Sequence, residues 1–343
     1  MHYDAVIIGG GPGGLACAAA LAQGGLATLV VERKTHPGPK VCAGGITWSG
    51  LIKNIPQWLI ERSFPQQKIY SPLQRTVISE PTPIIATVNR IELGGFMAKN
   101  ALEAGVHIET ATSVRRITSG NSLHAYDRKT GREKNYTCTS LIGADCSSCL
   151  VRRYLGLASV KMGMGINYQI AGEYADMEWH LNTRYFANGY GWLFPHARSF
   201  SLGAYIPAGN MSPAELKTNV CRSAAQRGFD LASMECRAGL INYDFQGYHF
   251  DNIYLVGDAA GLASPLTGEG IYPAIVSGQA VAAKILTPHL PSPDMERLIR
   301  RHRRFTRMVA LTARNRMGAS ILAEVGVAGL RTKILSFRDL EMG

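Results

Sequence analysis

The segment that most limits what this chain can fold into is Tyr3-Asp4-Ala5-Val6-Ile7-Ile8, followed at once by Gly9-Gly10-Gly11-Pro12-Gly13-Gly14. An apolar run of strand length ends in a glycine turn, and the alanine-rich stretch from Leu15 to Gln23 then has helical character. A second apolar run, Ala27 to Val31, ends at Glu32. Strand, glycine turn, helix, strand and terminal acid in that order form the dinucleotide-binding pattern. Gly9 permits the tight turn, Gly11 lets the backbone approach a pyrophosphate, and Gly14 lets helix pack on strand. The helix Leu15 to Gln23 points its N-terminus, with free N–H groups and a positive dipole end, at the phosphates, and Pro12 and Gly13 in the turn before it are cofactor-site candidates. Glu32, with Arg33 beside it, stands where a carboxylate takes ribose hydroxyls. The expectation is an α/β sheet holding a dinucleotide.

With 343 residues the chain has room for two lobes. Its seven cysteines follow no disulfide-framework spacing, which predicts reduced thiols and a reducing compartment. Met1-His2 leads straight into the first strand, so no leader peptide is expected. The longest apolar runs, Ile271 to Leu286 and Met308 to Leu322, are broken by Lys284 and by Arg314 and Arg316, so no membrane span is expected either. These features predict a cytoplasmic protein, with peripheral attachment to a membrane left open. Lys and Arg outnumber Asp and Glu by 36 to 25, and the net charge of +11 implies an anionic partner. A phosphorylated substrate, an anionic membrane surface and an acidic electron donor all qualify. No nucleic-acid recognition motif accompanies the charge, and no histidine has metal-ligand spacing, so neither nucleic acid nor a metal is expected.

Further along, Pro37 to Pro83 reads as loops with short helices. A helix is predicted over Phe96 to Glu103, stopped by Gly105, with a strand at Val106 to Glu109. Leu123 to Tyr126 and Lys134 to Ser140 form a hairpin about Lys129-Thr130-Gly131, and Leu141 to Asp145 is a buried strand ending in an acid. Between Val160 and Ile206 the pattern alternates, as in antiparallel strands, and Ile253 to Asp258 returns to the α/β style. The expected organisation is a discontinuous nucleotide lobe (1–70, 90–157 and 250–287), a β-rich substrate lobe (71–89 and 158–249) and a basic helical segment (288–343).

Gly257-Asp258-Ala259-Ala260-Gly261, taken with Gly143-Ala144-Asp145 and the N-terminal fingerprint, resembles the FAD-dependent group that includes aromatic hydroxylases and geranylgeranyl reductases. The resemblance implies a glutathione-reductase-type FAD lobe with an inserted, mainly antiparallel β substrate lobe and a helical C-terminus. It implies that Gly257 and Asp258 meet the ribitol of FAD and that Arg90 and Asp145 contact the cofactor. Pro265-Leu266-Thr267-Gly268-Glu269-Gly270-Ile271 matches the loop beneath the flavin, so Pro265, Gly268, Gly270 and Ile271 are cofactor-site candidates. This loop opens a helix whose N–H groups suit a reduced flavin's negative charge. Lys40-Val41-Cys42-Ala43-Gly44-Gly45 resembles the cysteine-and-glycine segment of geranylgeranyl reductases near the isoalloxazine, which adds Cys42, Ala43 and Gly44. Gly189-Tyr190-Gly191-Trp192-Leu193-Phe194-Pro195 resembles their signature for the lipid-chain cavity. Tyr190, Trp192 and Phe194 share one face of a strand, which fits ordinary core or the wall of an apolar tunnel, and the resemblance favours the tunnel. The chain departs from the family pattern at Ala187 for Pro, at Leu93-Gly94 for Phe-Asp, and at Cys146 for Gly.

The implied reaction is reduction of carbon–carbon double bonds in a long isoprenoid chain or prenylated lipid by hydride from reduced FAD. Cys42 is the catalytic candidate, as proton donor or as a residue that positions substrate; the competing reading is a small buried thiol. The lone pair Cys146 and Cys149 has no second ligand pair and reads as coincidence. FAD takes the single fingerprint, so the reductant, NAD(P)H or a ferredoxin-like protein, is expected to dock transiently. Arg297, Arg300, Arg301, Arg303, Arg304 and Arg307, interleaved with Leu298, Ile299, Phe305 and Met308, make a basic amphipathic helix for a membrane or acidic partner, or a solvated face. Two other readings stand beside the reductase. One is an FAD monooxygenase or halogenase. The other is a non-catalytic isoprenoid binder like the Rab GDP-dissociation inhibitors, which share the fold.

Overall fold

The computed structural model describes residues 1–47, 55–209, 211–313 and 315–342. The fingerprint strand His2–Ile8 lies at the centre of an eight-stranded sheet. It pairs in parallel with Arg132–Gly143 on one side and Thr28–Val31 on the other. His107–Glu109 and Ile253–Leu255 extend the parallel set outward. Ala5, Val6, Ile7, Leu29 and Val30 are fully buried. Both sheet faces are covered at this point, which is why these strands read as unbroken apolar runs.

Helix Pro12–Gln23 packs between this sheet and helix Ile271–Leu286. Its alanine and glycine content follows from that crowding. A side chain on Gly278 would collide with the Gly13 carbonyl, and one on Gly14 would collide with the Gly9 carbonyl. The expected helix at Phe96 begins earlier, and the observed element is Arg90–Glu103. Asn89 caps it, its side chain accepting from the Ile91 amide at 2.9 Å. Gly94, at the place of a family departure, lets this helix meet the loop before Lys40, because a Cβ there would overlap Gly38.

A seven-stranded sheet stands against the nucleotide lobe in the order Arg237–Asn242, Met162–Ala171, Ser199–Ile206, Tyr190–Pro195, Glu178–His180, Gln66–Tyr70, Arg75–Ser79. Alternation sorts its side chains. Leu193, Leu202, Ala204 and Ile206 pack under helix Pro213–Ala225, while Tyr190, Trp192, Phe194 and Tyr205 gather on the opposite face. A small sheet of Gly45–Thr47, Ile85–Val88 and Ile60–Phe64 joins the two parts.

The stretch from Pro37 to Pro83 therefore differs from expectation. It carries four strands, and its residues 48–54 lie outside the described ones. The expected lobe edge between residues 70 and 71 falls at the turn of the hairpin Gln66–Tyr70 with Arg75–Ser79, both strands of which belong to the seven-stranded sheet.

The tail is helical at Pro293–Ala313 and Arg316–Arg331. In the first helix Met295, Leu298, His302, Phe305 and Val309 face inward, so its apolar stripe is committed to core rather than offered to a partner. Among the described residues no helix is long and apolar enough to cross a membrane.

Candidate active site

One cavity of about 750 Å³ runs between the sheets, with a polar arm over the fingerprint and an apolar arm along the seven-stranded sheet. The polar arm starts at the N-terminus of helix Pro12–Gln23, whose N-cap, Gly11, makes no side-chain hydrogen bond. Among the described residues a Cβ on Gly11 would meet no atom within 4 Å. Gly9 has φ +109°, a conformation that only glycine adopts cheaply. Glu32 is held by two amides, Gly10 and Lys34, each 2.7 Å from a carboxylate oxygen. These bonds fix the acid's direction toward the cavity rim.

Across the arm lie two groups with unmet hydrogen-bonding capacity. Arg90 lines the cavity with Nε and Nη1 buried and unpartnered among the described residues, and Asp145 does so with Oδ1. Burial pushes the Asp145 carboxyl up, although the Cys149 thiol and the Leu150 amide favour its ionised form. Asp258, at the end of strand Ile253–Leu255, accepts from Lys40 Nζ at 2.8 Å and from Ser147 Oγ at 3.1 Å. Burial disfavours the Lys40 ammonium, but the Asp258 carboxylate outweighs it and holds the lysine above its ordinary pKa. Cys146 adopts φ +77° where the family carries glycine, so the departure places a side chain in a left-handed backbone.

The apolar arm is walled by Trp179, Tyr190, Trp192, Phe194 and Tyr205. Ring centroids along the strand are 6.0 Å apart from Tyr190 to Trp192 and again from Trp192 to Phe194. The Trp192 indole donates to Ser201 Oγ at 2.8 Å, and Tyr190 Oη donates to the Thr267 carbonyl at 2.7 Å. Phe337 and Leu340, from a capped turn near the C-terminus, close the far side, with Phe337 packed 5.1 Å from Trp179.

Cys42 lies where the arms meet, and its sulfur accepts from the Gly44 amide at 3.4 Å. The turn is tied down from behind by His196. Its Nδ1 is 2.6 Å from Glu61 Oε2 and its Nε2 is 3.0 Å from the Ala43 carbonyl. Both neighbours are acceptors, a carboxylate and a backbone carbonyl. The His196 hydrogen bond keeps the Glu61 carboxyl below its usual range against the opposing effect of burial. On the opposite wall Glu269 takes a hydrogen bond from Thr47 Oγ1 at 3.0 Å.

The fold thus brings Gly9, Gly11, Pro12, Gly13, Glu32 and Arg33 to one cavity with Cys42, Ala43, Arg90 and Asp145. Gly257, Asp258, Gly268, Gly270, Ile271, Tyr190, Trp192 and Phe194 line it too. Gly14, Gly44 and Pro265 lie behind the lining. Gly14 serves packing. Gly44, at φ +79°, lies against His196, and the Pro265 carbonyl accepts from Tyr205 Oη at 3.0 Å. Reasoning from sequence missed Trp179, Tyr205 and Phe337, and it placed His196 near the site only by its position after Phe194-Pro195, without its partner Glu61. Cys149 is a buried free thiol that caps helix Leu150–Tyr154, and burial raises its pKa, which suits a structural cysteine.

Residues 2–290 match the family model described as FAD binding domain. The chain belongs to this FAD-binding family. It is an FAD-dependent oxidoreductase, and its cofactor is FAD. The chain is 27% identical over 306 residues to digeranylgeranylglycerophospholipid reductase 2 of Methanothermobacter thermautotrophicus, covering 83% of this chain and 79% of that one. It is 26% identical over 304 residues to the chloroplastic geranylgeranyl diphosphate reductase of Nicotiana tabacum, covering 82% of this chain and 65% of the tobacco protein. Its fold resembles a geranylgeranyl bacteriochlorophyll reductase-like protein from Thermoplasma acidophilum, with a TM-score of 0.74, 21% identity and coverage of 99% and 89%. A flavin-dependent brominase superposes with a TM-score of 0.69 at 17% identity, covering 99% and 93%.

The residues fit FAD. The orphaned Arg90 nitrogens suit a pyrophosphate, the open space over Gly11 admits it, and Glu32 and Asp258 stand at strand ends where ribose and ribitol hydroxyls pass.

Proposed function

We propose that this FAD-dependent oxidoreductase saturates carbon–carbon double bonds of a long isoprenoid chain of geranylgeranyl type, carried by a diphosphate or a lipid. The observation that carries the reading is the junction of the cavity's two arms. A cofactor ledge rich in glycine and charge runs into a slot walled by five aromatic side chains, with Cys42 at the corner. Such a slot takes a long apolar chain by burial and excludes water, while the ledge fixes one end. The names of the relatives support the same substrate class.

When bound, reduced FAD supplies a hydride to one alkene carbon. The chain's own residues orient the isoprenoid, keep the slot dry and provide the proton. The Glu61–His196–Ala43 ties hold the Cys42 turn rigid, and Cys42 positions the chain at the corner. We take the sheet boundaries as the lobe boundaries, with Gln66–Tyr70 assigned to the substrate lobe. A nicotinamide or an acidic ferredoxin-like protein serves as a transient donor, consistent with the +11 charge.

A single anaerobic turnover tests the reading. The dithionite-reduced protein is mixed with geranylgeranyl diphosphate while flavin absorbance and product mass are followed. Flavin reoxidation with a gain of two hydrogens per double bond is expected. Flavin that stays reduced until air enters, with oxygen or halogen then added to substrate, would install the monooxygenase or halogenase reading instead.

The partner surface is an anionic bilayer. Met317, Ile321 and Val325 are 71%, 58% and 59% exposed on one face of helix Arg316–Arg331, beside the outward arginines of the preceding helix. Apolar residues flanked by cations suit an anionic headgroup layer. The protein is expected to float with phosphatidylglycerol vesicles, and a triple serine variant at these positions is expected to stay behind. Equal flotation of both would discard this face.

A further inference from the structure

Saturating a double bond takes a proton as well as a hydride, and the cavity contains one acid that nothing above employs. Glu269 projects from the loop between Thr267 and Gly270 onto the cavity wall. Thr47 Oγ1 donates to its Oε1 at 3.0 Å, while Oε2 is buried and without a hydrogen-bond partner among the described residues. An ionised carboxylate left in that state is costly, whereas the neutral acid, with one O–H to offer, is much less so. The acid shares the cavity with Cys42, and Tyr190 on the same wall donates to the Thr267 carbonyl two residues before Glu269. Cys42 turns its sulfur toward the Gly44 amide as an acceptor, which ties its turn together.

We infer that Glu269 is the general acid of the ene reduction, giving its carboxyl proton to the alkene carbon next to the one that receives hydride. This assignment rests on the reductase reading above. The carboxyl O–H bond breaks and leaves its electron pair on oxygen. The alkene π pair forms the new C–H bond to that proton, and the hydride from reduced flavin brings the pair for the second C–H bond. The alkene is reduced by two electrons and the flavin is oxidised by two. Glu269 recovers its proton from water as product leaves.

Electrostatics favour the role. Burial pushes the Glu269 carboxyl up to about 7; the Thr47 hydroxyl opposes this, Glu341 reinforces it, and the Met342 amide opposes it. Among the described residues the other titratable groups facing it are Tyr190 and Tyr272, and Arg297 and Arg301 reach the same Tyr272 from the tail helix. An acid balanced near neutrality is well matched to proton transfer at working pH.

Two measurements on the FAD-loaded protein test the assignment. Infrared difference spectra recorded through neutral pH should show the carbonyl stretch of a protonated carboxylic acid, absent from E269Q and lost at lower pH in E341Q. In the anaerobic single turnover with geranylgeranyl diphosphate in deuterated water, wild type should take up one solvent deuterium per reduced bond. E269Q, which retains an amide oxygen for Thr47, should bind FAD and substrate normally yet turn over about a hundredfold more slowly or worse. C42A should be slowed less than E269Q. A wild-type rate for E269Q, or an infrared band that survives in E269Q, overturns the assignment alone. A severe loss confined to C42A transfers the proton to Cys42 and likewise overturns it. A wild type that yields no reduced product overturns the reductase reading and this assignment together, and the product arm separates that case from the others.

Discussion

Exchange of Gly11 for valine is expected to leave the cofactor-free protein's melting temperature unchanged and to remove its FAD. Most glycines in the fingerprint would not allow such a separation. A side chain on Gly14 would strike the Gly9 carbonyl and lie 3.1 Å from Ala144 Cβ, so fold and cofactor would fail together. At Gly11 the backbone is extended (φ −81°, ψ 177°), which any residue adopts, and an added Cβ meets no atom of the described residues within 4 Å. The branched side chain would instead fill the space above the helix N-terminus, where the pyrophosphate has to approach the amides. A loss of at least about a hundredfold in FAD affinity is expected, equivalent to roughly 2.7 kcal/mol. Flavin absorbance per protein, read beside thermal melts of both apoproteins, checks it. A yellow variant would mean that the phosphates lie elsewhere.

Truncation of Trp192 to alanine should cost about 3 kcal/mol or more of stability. The indole is buried among Tyr190 and Phe194, and it lies directly over Gly203, where a Cβ would come within 2.5 Å of the ring. Alanine would leave a large void beside Ser201, which passes its own hydrogen to Asn167 and would lose its indole donor. W192F should recover most of the packing and isolate the hydrogen bond. Denaturant titration of the FAD-loaded proteins gives both numbers. A loss under about 1 kcal/mol for W192A would mean that the aromatic row is a loosely packed lining rather than core that also borders a cavity.

The cofactor half of this site was readable because its signals are local. Glycines, a helix N-terminus and an acid recur within the first 32 residues, and each constrains its neighbours in sequence. Asp258 and the Gly268–Gly270 turn were placed by the family resemblance of their segments rather than by spacing. The helix at Arg90 was placed six residues too late because Gly94 and Gly95 lower helical propensity, whereas the structure uses Gly94 to admit Gly38. Strands in the Pro37–Pro83 stretch escaped notice for another reason. Gln66–Tyr70 is short and opens on three polar residues in a row, and one of its partners, Glu178–His180, lies more than a hundred residues away. Nothing in a short window records such pairing. The amphipathic arginine helix was legible as amphipathic, but not what its apolar side meets. The outcome was the protein's own core.

The two arms of the cavity are also completed at different points along the chain. The fingerprint, Arg90, Asp145, Asp258 and the turn ending at Ile271 make up the polar arm, whereas Phe337 and Leu340 finish the apolar one. At ordinary rates of synthesis the last of these residues emerges some seconds after the polar set is in hand. Synthesis therefore has a direction: the charged ledge is made first, and the residues that close the compartment that has to stay dry are made last.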